Sequence, residues 1–113
     1  MTAENKWLTR LDQIVIEHID DASLNNEIIA TKIDISERHL FRRVKTLTGM
    51  SPNKYIRKYR LELAKKYLEK GTFKTVKDTA AAVGFINISY FINQFEQEFG
   101  RKPLSVLREA GWR

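Results

Sequence analysis

The sequence AAAVGFINISYFINQFEQEFGRKP at residues 80–103 repeats the pattern of an earlier one, ATKIDISERHLFRRVKTLTGMSP at residues 30–52. In both, small and apolar residues at helical spacing lead into a turn, and a second helical run ends at a glycine that precedes a proline. The offset is 50 residues before the turn and 51 after it. The matched pairs are Ala30 and Ala80, Ile33 and Val83, Leu40 and Phe91, Val44 and Phe95, Gly49 and Gly100, and Pro52 and Pro103. Two helices separated by three or four residues are typical of a helix-turn-helix, so the repeat predicts two such units.

The rest of the chain completes an all-α fold of about seven helices. Apolar residues recur at helical spacing, and Pro52 and Pro103 both suit the first turn of a helix. We predict helices at about residues 4–19, 26–33, 37–48, 52–70, 76–83 and 89–99, and a last one from Pro103. The predicted organisation is a first helix-turn-helix unit over 8–51, a linking helix over 52–70 and a second unit over 71–109.

Composition excludes several classes of protein. The chain has 113 residues, 42% of them hydrophobic and 30% charged, which is typical of one globular domain or a fused pair of small units. There is no cysteine, so disulfides and thiolate chemistry are excluded. The sequence contains neither a membrane-spanning apolar run nor a signal peptide, which predicts a cytoplasmic location. His18 and His39 lack partners at metal-ligand spacing and no catalytic motif is evident, so we expect no enzyme activity, metal, cofactor or small-molecule ligand.

Charge is distributed unevenly along the chain. The net charge is +6, but residues 36–77 carry +10, while residues 1–35 carry −4 and residues 78–100 carry −3. A central block this basic in an otherwise acidic chain indicates a polyanionic partner such as nucleic acid. The alternative is that the lysine-rich helices are simply solvated.

The helix predicted at 37–48 presents a candidate DNA-reading face opposite its apolar one. Its candidate base-contacting residues follow i, i+3, i+4 and i+7 spacing and are Arg38, Phe41, Arg42 and Lys45. Arginine can bond guanine bidentately and an apolar ring can press on a thymine methyl group, so Arg42 is the strongest candidate base reader. The alternative for Arg42 is a surface charge. For Phe41 the alternatives are a core residue, if the helix is misphased, or a protein contact.

The helix predicted at 89–99 carries uncharged candidates instead. Ser89, Asn93 and Gln97 share one stripe, and amide side chains can pair with adenine; the alternative is a helix that only docks. Candidate phosphate contacts are basic residues and hydroxyls near helix N-termini. They are Ser36, Ser51, Lys54, Arg57, Lys58, Arg101 and Lys102. For any single lysine, solvation is the alternative.

The length of the linking helix suits two DNA-reading helices. Its 19 residues correspond to about 28 Å, close to the roughly 34 Å that separates successive major-groove segments. We therefore expect helices 37–48 and 89–99 to enter successive segments of the groove of double-stranded DNA. The alternative is a helical bundle whose repeat has no such use.

The chain resembles the DNA-binding domain of the AraC/XylS family of bacterial transcription regulators, from about Leu8 to Leu107. The matching elements are Ala81-Ala82-Val83-Gly84-Phe85, Ser89-Tyr90-Phe91, Phe95, Phe99-Gly100 and Pro103 in the second half, and Ser36, His39-Leu40, Thr48-Gly49, Ser51-Pro52 and Arg60-Leu61 in the first. The stretch LFRRVKTLTGMSPNKYIRKYRL also looks like the output domains of two-component regulators of this family. The resemblance implies control of transcription, often activation with contact to RNA polymerase, and base-facing positions for Arg38, Phe41 and Arg42.

The chain departs from the family pattern in two places. Asp34 stands where the first turn commonly has glycine, and aspartate tolerates the left-handed conformation better than most residues. Asn93 stands where arginine is common, and Glu96 and Glu98 follow it. Because carboxylates repel phosphates, we expect the first unit to dominate DNA binding. The alternative function is a protein-interaction module that docks on RNA polymerase or a partner regulatory domain. With no dimerisation segment visible, we expect a monomer.

Overall fold

The computed structural model describes residues 2–111, within which there are seven α-helices and no strand. The helices are α1 (Ala3–Glu17), α2 (Asn26–Ile33), α3 (Glu37–Thr48), α4 (Pro52–Lys70), α5 (Val76–Ala82), α6 (Ile88–Phe99) and α7 (Pro103–Glu109). Every boundary lies within two residues of its predicted position. The all-α fold of about seven helices is confirmed. None of the helices in residues 2–111 has the length and apolar content that crossing a membrane requires.

Capping residues explain where the helices begin and end. The side chains of Asn25 and Ser36 accept hydrogen bonds from the backbone N–H groups of Ile28 (2.9 Å) and His39 (3.0 Å), which satisfies orphan donors at the starts of α2 and α3. Helix α3 ends at Gly49, whose φ of 76° lies in the left-handed region that glycine adopts without strain.

Residue contacts divide the chain into two compact units. The first comprises the described residues of Met1–Ile19 and Ser23–Arg57, and the second those of Asp20–Ala22 and Lys58–Arg113. The division falls inside α4, so this helix contributes residues to both units. The domain limits at 51/52 and 70/71 stay a prediction.

The first unit packs α1, α2 and α3 around an aliphatic core. Val15, Ile29, Leu40 and Val44 are almost completely buried there. Their helical spacing placed them on one face of each helix, and burying that face is the main stabilising contribution. The hydroxyl of Tyr55 in α4 donates to the Asp12 carboxylate of α1 at 2.5 Å.

The second unit has an aromatic core. Phe85, Phe91, Phe95 and Phe99 form a continuous series, with successive ring centroids 5.0, 5.8 and 4.7 Å apart and tilted ring planes. Such tilted pairs are favourable beyond the area they bury. Leu61, Ala64 and Leu68 of α4 and Val106 and Leu107 of α7 belong to the same core.

Candidate nucleic-acid interface

The two turns that precede the candidate reading helices have the same hydrogen-bond pattern. In the first unit the N–H of Ile35 donates to the carbonyl of Ala30 at 3.0 Å, and in the second the N–H of Phe85 donates to that of Ala80 at 2.9 Å. The turn residue is left-handed in both, at Asp34 (φ 65°) and Gly84 (φ 86°). Each unit is therefore a helix-turn-helix, and Asp34 adopts the conformation expected from the glycine it replaces.

Helix α3 presents the predicted basic stripe to solvent. Leu40 and Val44 are buried on one side. The four candidate base-contacting side chains, Arg38, Phe41, Arg42 and Lys45, are all exposed. Phe41 is 49% exposed, so the interpretation of this residue as misphased core is excluded. The structure thus brings two guanidinium groups, an ammonium group and an apolar ring onto one surface.

Two other basic residues, one in each unit, have structural roles that the sequence did not indicate. The guanidinium carbon of Arg43 lies 4.7 Å from the centroid of the Trp7 ring, in cation–π geometry that ties α3 to α1. Arg60 is only 7% exposed and donates to the carbonyls of Val83 at 3.1 Å and Asp21 at 3.0 Å. Burial lowers the pKa of Arg60, and the charges of Asp21 and Asp20 oppose that shift. The Arg60-Leu61 pair is therefore a core element of the second unit.

Helix α6 presents a polar stripe in place of a basic one. Asn87 caps its start by accepting from the N–H of Tyr90 at 2.9 Å, and Ser89, Asn93 and Gln97 are exposed on the side away from the buried phenylalanines. The sequence placed this start one residue later and gave no indication of the cap.

Sequence reasoning missed two exposed apolar side chains beside that stripe. Tyr90 is 42% exposed and Ile86, in the turn, is 84% exposed. Tyr90 lies three and seven residues before Asn93 and Gln97, so it shares their face. The spacing of Tyr90 from Asn93 and Gln97 could have shown that it lies on the exposed face of α6. Nothing in the sequence indicated that Ile86 is exposed.

The candidate phosphate contacts differ in their surroundings. Ser36 and Ser51 both cap helices, Ser51 by accepting from the N–H of Lys54 at 3.3 Å. Lys54 and Lys102 are exposed, whereas Arg57 and Lys58 are half-buried.

Arg101 has a partner within the second unit. It forms a two-pronged ion pair with Glu109, in which Nη1 donates to Oε2 at 3.1 Å and Nη2 donates to Oε1. The hydrogen bond and charge of Glu109 raise the pKa of Arg101. A phosphate group has to compete with this carboxylate for the guanidinium.

Two helix-turn-helix units, each with a second helix that presents a polar face, define the chain as a helix-turn-helix protein. A helix-turn-helix domain model matches residues 29–109. The chain is 35% identical over 94 residues to the regulatory protein SoxS of Salmonella typhimurium, covering 80% of this chain and 87% of SoxS. It is 31% identical over 103 residues to the bifunctional transcriptional activator/DNA repair enzyme AdaA of Bacillus subtilis. That match covers 88% of this chain but only 46% of AdaA, so the chain spans less than half the length of that relative.

A solved structure agrees with these relatives. The fold matches a transcriptional regulator of Chromobacterium violaceum, described as containing an AraC-type DNA-binding domain, with a TM-score of 0.84 at 25% identity, over 94% of this chain and 93% of that one. The chain belongs to the AraC/XylS family and is a DNA-binding domain of a transcription regulator.

Proposed function

We propose that the exposed stripe of α3 reads bases in the major groove and supplies most of the affinity and specificity. The observation that carries this proposal is the exposure of Arg38, Phe41, Arg42 and Lys45 on one face of a capped helix whose other face is buried. Arg42 is the principal base reader, because a guanidinium matches the two acceptors of guanine.

In this proposal α6 enters the adjacent segment of the groove and reads with Ser89, Asn93 and Gln97. Helix α6 carries two carboxylates and no basic residue, whereas α3 carries four basic residues and one acidic one. Since attraction to phosphates depends on positive charge, α6 adds discrimination but little affinity. Ser36, Ser51, Lys54, Arg57, Lys58 and Lys102 are the proposed phosphate contacts, and Arg101 joins them when its pair with Glu109 opens.

Selection of binding sites from a random duplex library tests this proposal. We expect two informative blocks about one helical turn apart, the stronger one read by α3. Arg42→Ala should cost about 1–3 kcal/mol of binding free energy and relax preference at one base position. Lys54→Ala is the matched control, because loss of a phosphate contact weakens binding to all sequences alike. It should also make the slope of log K against log salt concentration shallower by about 0.9. A uniform loss for Arg42→Ala would make Arg42 a phosphate contact as well.

The alternative function is a protein-interaction module, which the acidic end of α6 favours. Glu96 and Glu98 are exposed there. A DNA titration separates the two functions, since the alternative predicts weak binding with no preferred sequence.

Several properties of the whole regulator stay predictions. They are transcription activation, contact with RNA polymerase, a place as the output domain of a two-component regulator, a cytoplasmic location, the absence of enzyme activity, and a monomeric state for the isolated chain. The similarity to the regulatory protein SoxS and to the transcriptional activator AdaA supports the predicted role in transcription. The expected DNA partner supports the predicted cytoplasmic location.

A further inference from the structure

Helices α5, α6 and α7 leave an apolar groove on the surface of the second unit. Its volume is about 440 Å³, within the range of ligand-binding pockets. Six of its ten lining residues are apolar, among them Val76, Ile92 and Leu104 from the three helices in turn. Leu104, which lines the groove, is 47% exposed. An apolar concavity that stays open to water is typical of an interaction surface.

The polar part of the groove has one sign of charge. Lys74, Lys102 and Arg108 line it, and no carboxylate is among the lining residues in the described part of the chain. The groove therefore attracts an anionic partner. The phosphate backbone of DNA does not suit the floor, because aliphatic side chains offer phosphate oxygens no hydrogen-bond donor.

The groove is separate from the proposed DNA-reading stripe of α6. Ile92 faces the groove, and Asn93, which follows it, belongs to the reading stripe. Successive residues of a helix are about 100° apart, so the two surfaces are neighbouring faces of one helix.

We propose that this groove is a docking site for an acidic amphipathic helix of another protein. Aliphatic side chains at i, i+3, i+4 and i+7 of that helix fill the groove, and carboxylates beside them face Lys74, Lys102 and Arg108. This surface is distinct from the acidic end of α6, and its charge selects partners of opposite sign. The proposal rests on the groove and does not require base reading by α6, but Lys102 lines the groove and is also one of the proposed phosphate contacts.

A peptide titration of the full chain tests the proposal. The probe is a capped peptide of about 16 residues, long enough to form a helix, with leucines at i, i+3, i+4 and i+7 and glutamates on both sides of them. In nitrogen-15 spectra we expect saturable shifts of amides around Ile92, Leu104 and Arg108. A peptide of the same composition with scattered leucines should bind at least tenfold more weakly.

Matched variants locate the site. Leu104→Glu should weaken binding at least tenfold, and Leu104→Ala less, because a carboxylate repels the probe as well as removing apolar contact. The control is Ile16→Glu in the first unit, where Ile16 is 50% exposed and outside the groove. This variant should bind like the unmodified chain.

Four results of the peptide titrations would overturn the proposal. They are shifts confined to other surfaces, equal binding of a peptide with lysines in place of glutamates, no saturation up to about 1 mM peptide, and equal binding by Leu104→Glu. Sedimentation of the chain alone tests whether a second copy of the chain occupies the groove instead. Self-association that Leu104→Glu abolishes would assign the groove to a second copy of the chain and contradict the proposal.

Discussion

Replacement of Arg60 by methionine should destabilise the second unit by about 1.5–3 kcal/mol. Arg60 donates two charge-assisted hydrogen bonds, to the carbonyls of Val83 and Asp21. Bonds to charged groups contribute about 1.5–3 kcal/mol each, which gives roughly 3–6 kcal/mol in total. Two effects offset part of this loss of stability. Methionine removes the cost of burying a charge, and water can reach the carbonyl of the exposed Asp21. Together they should offset about half of the total. The buried carbonyl of Val83 loses its partner without replacement.

Urea denaturation measures this loss. With a slope of about 1.5 kcal/mol per molar urea, inside the usual range of about 1–3 for small proteins, the midpoint should fall by about 1–2 M. Lys66→Met is the matched control, because Lys66 is exposed on the same helix. Native-state amide exchange should show lost protection in the second unit, since both carbonyl partners belong to it. A midpoint for Arg60→Met within about 0.3 M of the Lys66→Met midpoint would refute this account of the buried arginine.

Three further substitutions test local features. Asp34→Gly should raise the free energy of unfolding by about 0.5–1 kcal/mol in urea, because glycine adopts the left-handed conformation at φ 65° without strain; a decrease would mean that the carboxylate stabilises the turn. Asn87→Ala should lower the free energy of unfolding by about 1 kcal/mol through loss of its 2.9 Å cap bond, and an unchanged urea midpoint would contradict that role. Glu109→Gln should strengthen DNA binding, because Arg101 is released toward phosphate. The slope of log K against log salt concentration should become steeper by up to about 0.9. An unchanged slope in a salt titration would show that Arg101 contacts no phosphate.

The helices and both turns could be predicted because their signals are local. Asn25 and Ser36 cap within three residues, and Gly49 and Gly100 end helices by their own backbone conformation. The exposed stripe of α3 follows from the same periodicity, since buried Leu40 fixes which side of the helix faces water. These features depend on neighbouring residues alone.

Other parts of the site depend on contacts between distant residues. Arg60 lies 23 and 39 residues from its two carbonyl partners, so its sequence neighbours did not distinguish it from the surface cations of α4. Arg101, before α7, and Glu109, the last residue of α7, are eight residues apart, and only the fold of this segment brings them together. Arg60 counted toward the charge of the basic block at residues 36–77, and Arg101 was a candidate phosphate contact, although Arg60 is buried and Arg101 is paired. Only packing could show that difference.

The two units keep the same backbone while their surfaces differ, and the physical reason is the different tolerance of core and surface. A helix-turn-helix needs its turn hydrogen bond and an apolar residue at each inward position, and both units satisfy this with aliphatic or aromatic side chains. Solvent-facing positions of the two helices do not have to be apolar. The exposed face of α3 can therefore be basic and that of α6 acidic although both belong to the same motif. In the second unit, three basic residues line an apolar groove, Arg101 pairs with a carboxylate, and α6 itself contains no basic residue. Because phosphate attraction follows charge and base discrimination follows hydrogen-bond geometry, the proposed function gives both tasks mainly to α3, and α6 adds only further discrimination.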